Sequence, residues 1–309
     1  MRNDFVRQMI IEMKRNPSIY FLTADLGFNA LEPIEKAFPK RFINVGISEQ
    51  HLIGMAAGLA LEGKKVVAYS IASFATMRPY EMIRDDVCYH DLDVTIVGVG
   101  GGFNYGAAGV THHTIEDIAI MRALPGMRVV APGYSWEARE ATKELMRKKG
   151  PFYLRLGKSP GVAYEKKNFS FALGKGFVVR EGKDIVLIST GNILDCALES
   201  AKLLEETGHS VSVVSMPSVK PLDSELIRRI QKNAKGVFTI EEHSTSGGLG
   251  TAVKEMLWDL ESKVKFHAFG FPADTFIRDV GSRDYLLEKA GLSAQAIAQK
   301  IATYVRPRV

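Results

Sequence analysis

The chain has 309 residues, room for about two domains of roughly 150 residues each. Apolar residues make up 46% and charged residues 24%, and the net charge is +5, which suits a globular chain with full cores and argues against disorder or a nucleic-acid groove. Two distant cysteines, Cys88 and Cys196, argue against a disulfide framework or a cysteine zinc site and for a reduced, cytoplasmic compartment.

The segment from Met1 to Arg7 turns charged again at Glu12, Lys14 and Arg15, which predicts an amphipathic helix rather than a signal peptide. No apolar run approaches the roughly 18–20 residues that span a bilayer, so no membrane partner is expected. Strands are predicted at 19–23, 42–45, 65–69, 94–99 and 127–131, with helices at 49–61, 78–89 and 136–148. Strands that are apolar throughout and spaced by helices predict a parallel sheet flanked by helices, the α/β class. The rhythm breaks over 157–175. A second α/β set follows, with strands at 184–189, 210–215, 236–240 and 263–270 and helices at 197–207, 223–233 and 248–260. The expected division is 1–160, a linker at 161–175, and 176–309.

Four segments stand out. Gly98-Val99-Gly100-Gly101-Gly102 fails the dinucleotide fingerprint, because Phe103 and Tyr105 occupy later positions, so it predicts a strand-to-loop crossing. Gly46-Ile47-Ser48-Glu49-Gln50-His51 opens a helix; Ser48 is the expected N-cap, and Glu49 in the first turn has an ordinary explanation in the helix dipole. Gly54 and Gly58 leave a smooth helix face for close packing, within the chain or against another subunit. Phe74, Met77 and Tyr80, spaced by three, predict one helical face, which is more often core than ligand contact. In Gly109-Val110-Thr111-His112-His113 the two histidines point apart, a poor metal pair; one can serve as a general acid or base.

In this order the four pieces resemble the C-terminal half of transketolase, over essentially the whole chain. Pro217-Ser218-Val219-Lys220-Pro221-Leu222-Asp223, Glu241-Glu242-His243 and Gly247-Gly248-Leu249-Gly250 look like signatures of its C-terminal domain. The likeness is greatest to the small subunit of split transketolases, thiamine diphosphate enzymes. It implies a pyrimidine-binding domain followed by a transketolase C-terminal domain. No Gly-Asp-Gly motif occurs, so the resemblance implies that Mg²⁺ and the diphosphate are held by an N-terminal partner subunit, in an α2β2 assembly. It makes Glu49 the catalytic acid at the aminopyrimidine, which requires its carboxyl to be neutral in an apolar crevice. Phe74, Met77 and Tyr80 become cofactor contacts, with Met77 where a second Phe is usual. His112 becomes a catalytic and substrate-binding residue. Arg2, Asn29, Gly100 and Lys158 fall at substrate positions, and no metal ligand is assigned to this chain.

The loop departs from the family's Asp-Gly-Pro-Thr-His: it reads Ala108-Gly109-Val110-Thr111-His112, and Gly100 stands where a histidine is usual. Loss of hydroxyl-reading groups changes discrimination strongly, so an unusual ketose donor is open. The implied activity is transfer of a two-carbon ketol unit from a ketose phosphate to an aldose. The alternatives are the beta subunit of a 2-oxoacid dehydrogenase, a 1-deoxyxylulose-5-phosphate synthase-like enzyme, and a non-catalytic assembly subunit.

Overall fold

The computed structural model describes residues 1–158 and 171–305. Most of the expected linker lies outside the described residues.

The first half builds strands β1 (Ile19–Thr23), β2 (Phe42–Asn44), β3 (Lys65–Ile71), β4 (Val94–Val99), β5 (Arg128–Val130) and β6 (Phe152–Leu156). Its helices are α1 (Arg2–Arg15), α2 (Glu32–Ala37), α3 (Glu49–Leu61), α4 (Ala72–Met77), α5 (Tyr80–Met82), α6 (Asp117–Ala123) and α7 (Ser135–Leu145). The second half builds β7 (Phe177–Arg180), β8 (Ile185–Thr190), β9 (Val211–Ser215), β10 (Ser218–Lys220), β11 (Gly236–Ser244) and β12 (Lys265–Phe271). It adds α8 (Leu194–Glu206), α9 (Ser224–Ile230), α10 (Leu249–Asp259), α11 (Arg283–Lys289) and α12 (Ala294–Val305).

The two sheets run β10-β5-β6-β4-β3-β1-β2 and β12-β11-β8-β9-β7. All pairings are parallel except β10 on β5 and β7 on β9. Alternation along the strands feeds a core on each face of each sheet. In the first sheet, Val67, Tyr69 and Val97 pack under α1 and α7, while Val66, Ala68 and Ile96 pack under α3 and α6. In the second, Leu187, Val213 and Phe238 face α8 and α12, and Val186, Val214 and Val237 face α9 and α10. Central strands buried on both faces read as continuous apolar runs, which is why the sequence announces them.

The halves are interlocked. Strand β10, from the second half of the chain, completes the first sheet. Arg155 of β6 donates to Asp117 at 2.7 Å, to the Thr114 carbonyl at 2.8 Å and to the Glu242 carbonyl at 3.0 Å. Glu242 accepts the Phe103 N–H at 2.7 Å and Arg283 Nε at 2.9 Å. The helix expected at 78–89 is instead a short turn, α5, followed by a wider π-type helix at Ile83–Cys88.

Candidate functional site

Glu49, Phe74, Gly100, His112 and Lys158 all follow the carboxyl ends of first-sheet strands, where ligands of open α/β sheets bind. Glu49 opens α3 just after β2 and is only 2% exposed. Its Oε2 accepts Arg78 Nη1 at 2.7 Å, and Ser70 Oγ donates to Oε1 at 3.4 Å. Arg78 itself is 46% exposed, and its guanidinium lies 4.1 Å over the Phe74 ring. Phe74 meets His112 edge-on with centroids 5.0 Å apart. Desolvation, then the charges of Arg78 and His113, hold the His112 imidazole below its ordinary range, so it is neutral near pH 7. One guanidinium thus reaches three residues that the sequence nominated separately.

Three expectations need correction. The crevice around Glu49 is not purely apolar, because α4 brings Arg78 onto its carboxylate. Ser48 occupies the N-cap position, but its side chain makes no capping hydrogen bond. Phe74, Met77 and Tyr80 do not share a face, because α4 ends at Met77 and Pro79 interrupts before α5. Phe74 turns to Arg78 and His112. Met77 joins Val110, His113, Glu116, Ile120 and Phe276 around a cavity of about 320 Å³ that neither Glu49 nor Phe74 lines. The Tyr80 hydroxyl donates to the Ile120 carbonyl at 2.8 Å, beside that cavity.

The glycine run after β4 is the expected strand-to-loop crossing. Gly100 and Gly102 take positive φ of 82° and 70°, and a Cβ on Gly102 would strike the Glu242 carboxylate at 2.5 Å. The two histidines do point apart: His112 faces Phe74, whereas buried His113 packs on Phe103 at 4.7 Å and contacts the Gly106 carbonyl through Nε2 at 3.2 Å. His112 Nδ1 lies 3.0 Å from Thr111 Oγ1, and Ser73 Oγ donates to the Thr111 carbonyl at 3.1 Å, which fixes the loop over α4.

Arg2 and Lys158 converge on Tyr105. Lys158 Nζ stands 5.0 Å over the Tyr105 ring. Desolvation raises the Tyr105 and Tyr69 phenols, and the Arg2 charge pulls both the other way. Asn29, exposed with φ of 60°, is tied through its N–H to Glu32 Oε1 at 2.7 Å, and the Arg2 charge acts on Glu32. Of the smooth face on α3, a Cβ on Gly54 would meet Met82 at 3.0 Å, while Gly58 is open.

The Glu-Glu-His segment is buried architecture. Glu241 accepts the Leu249 and Gly250 N–H groups at 2.6 and 2.7 Å, at the start of α10. His243 Nε2 accepts the Ala119 N–H at 3.3 Å while Nδ1 contacts the Ser244 carbonyl, and burial lowers its pKa to about 4. Among the described residues no group of three His, Cys, Asp or Glu is arranged to hold a metal ion, and no helix is long and apolar enough to cross a membrane. The sequence reading assigned no role to Arg78 or Tyr105. Arg78 lies between Met77 and Tyr80, but its partner is 29 residues away and only the fold brings the two together.

Residues 1–161 match the transketolase pyrimidine-binding domain, and residues 174–297 match the transketolase C-terminal domain. The chain is 38% identical over 304 residues to a putative transketolase C-terminal section of Methanocaldococcus jannaschii, covering 97% of this chain and 95% of that one. It is 34% identical to an apulose-4-phosphate transketolase subunit of Phocaeicola vulgatus, covering 99% and 97%. A solved split-gene transketolase, described as an inactive beta4 tetramer, superposes with a TM-score of 0.89 at 38% identity over 99% of both chains.

Proposed function

We propose that this chain, which belongs to the transketolase family, is the small subunit of a split, thiamine diphosphate-dependent transferase. The complete enzyme moves a two-carbon ketol unit from an anionic ketose to an aldose. It requires an N-terminal partner that carries the diphosphate and Mg²⁺ site, as two copies of each chain in the cytoplasm. We assign 1–160 to pyrimidine binding, 161–175 to the linker and 176–309 to the C-terminal domain.

The observation that carries this reading is a buried carboxyl, Glu49, at the sheet's carboxyl edge, grouped with Phe74 and a neutral His112. That group fits an aminopyrimidine: among the described residues the acid has a single charged partner, and Arg78 is exposed enough to swing away. Bound there, thiamine diphosphate supplies the electron sink for carbon–carbon cleavage. Glu49 holds a proton toward a ring nitrogen, which requires Arg78 to leave its carboxylate. Phe74 would pack on the ring, and Met77 and Tyr80 would contact it from the side of the neighbouring cavity. Neutral His112 accepts or returns a proton at the donor's hydroxyls. Arg2 and Lys158 attract the anionic end, near Asn29, and Gly100, lacking a side chain, lets the Tyr105 ring stand beside the donor. The missing carboxylate at Ala108 supports a donor other than the usual pentose phosphates.

Glu49→Gln, assembled with the wild-type partner, is expected to lower kcat at least 100-fold with assembly intact. Titration calorimetry is expected to show thiamine diphosphate binding to the pair and none to this chain alone. Normal turnover in the variant, or tight cofactor binding by the lone chain, overturns the reading.

A further inference from the structure

Tyr105 belongs to none of the signatures above, yet it sits among the residues nominated for substrate. A Cβ on Gly100 would lie 2.1 Å from its Cε2 and 2.3 Å from its Cδ2. Any side chain at 100 and the Tyr105 ring are therefore mutually exclusive, and the ring fills the space that residue 100 leaves. The ring also meets His112 at a centroid distance of 6.1 Å and an angle of 66°, and Lys158 stands over its face. The Arg2 charge acts on its phenol. The side chain is half-buried, and its hydroxyl makes no hydrogen bond among the described residues. It is thus a flat apolar wall with an uncommitted polar tip, between the proposed reacting end at His112 and two cations.

We infer that Tyr105 is a specificity-determining residue for the donor: its ring packs on the C–H face of the ketose chain and its hydroxyl reads a hydroxyl that residues 100 and 108 cannot. The selected class is a ketose with a terminal anion facing Arg2 and Lys158. Aromatic faces suit such C–H surfaces, and a site built around one hydroxyl discriminates strongly against analogues lacking it. The inference rests on the ketol-transfer reading of the site.

The test uses the enzyme assembled with its partner. Ketol transfer to ribose 5-phosphate is measured from xylulose 5-phosphate, fructose 6-phosphate, sedoheptulose 7-phosphate and unphosphorylated fructose, for wild type, Tyr105→Phe and Tyr105→Leu. Tyr105→Phe is expected to narrow the preference between the two best donors about tenfold. Tyr105→Leu is expected to raise KM for the best donor tenfold or more with a smaller change in kcat. Thiamine diphosphate affinity should stay within about twofold in both, which a merely structural role would not predict for so selective a change. Unchanged donor ranking and KM in both variants overturns this inference alone. A wild-type pair that binds thiamine diphosphate but favours fructose over every phosphorylated ketose refutes the anionic class. A wild-type pair that transfers no ketol from any donor defeats the reading beneath it.

Discussion

At Glu49 the chain holds a carboxylate almost out of water against a half-exposed guanidinium. Removing one partner of such a pair strands the other, and the cost exceeds that of an exposed bridge. Solvent around Arg78 screens part of it. Arg78→Met is expected to destabilise the chain by about 1–2 kcal/mol at pH 7. In a double-mutant cycle with Glu49→Gln most of that loss should vanish, read by urea denaturation. An additive cycle would mean the two side chains do not interact. The local pattern around Glu49, a glutamate opening an apolar helix after a strand, announced only a helix start; the family resemblance alone singled the residue out. Its partner was not legible, since the pairing exists only once α3 and α4 pack. Tyr105 was invisible for the same reason: its meaning comes from the space over Gly100, not from its neighbours in the chain.

At the scale of elements, apolar runs such as β1, β3 and β4 and the helix α3 read correctly, because period and composition agree there. Strand β6 escaped because it carries Arg155, a charge that makes sense only against Asp117 and the Glu242 carbonyl. Strand β10 escaped because three residues beside prolines pair with a strand nearly ninety positions earlier. Helix α7 shows a further long-range tie. Its Glu137 is fully buried; Oε2 accepts the Gly133 and Tyr134 N–H groups at 2.7 and 3.4 Å, and Oε1 accepts Ser215 Oγ at 2.6 Å. Desolvation outweighs these donors and raises its pKa to about 7. The folded chain therefore binds more protons than the unfolded chain between the ordinary value of 4.5 and about 7, and this contribution to stability, fully present below 4.5, is lost as pH rises through that window. Glu241, also raised to about 7, acts in the same direction, while His243, lowered to about 4, opposes both below 6.5. Glu137→Gln keeps the acceptor and can donate to Ser215. The difference in unfolding free energy between variant and wild type should thus move in the variant's favour from pH 5 to pH 8, by an amount on the order of 3 kcal/mol. A difference that stays constant with pH would show that Glu137 does not titrate in this range.

Over the whole molecule, the distribution of exposed apolar side chains is uneven. Ile47 beside Glu49, Val110 beside His112, Phe276 across the cavity from Met77, and Val280 close to Gly109 are all exposed, Ile47 by 79% and Phe276 by 72%. Scattered apolar residues on a surface need no explanation, but several near the proposed site are what the proposed partner would cover. A chain that supplies the pyrimidine side of a shared site must bring that side against its partner. No local pattern announces this rim, because Ile47 and Phe276 are more than two hundred residues apart. Ile47→Glu and Phe276→Asp each place an uncompensated charge in that contact. Each is expected to weaken association with the partner at least tenfold, measured by sedimentation, and to reduce thiamine diphosphate uptake in proportion. The melting temperature of the lone chain should change little, since neither side chain is buried there. A charge at either position that leaves association intact would move the partner to another face and separate the exposed rim from the shared site.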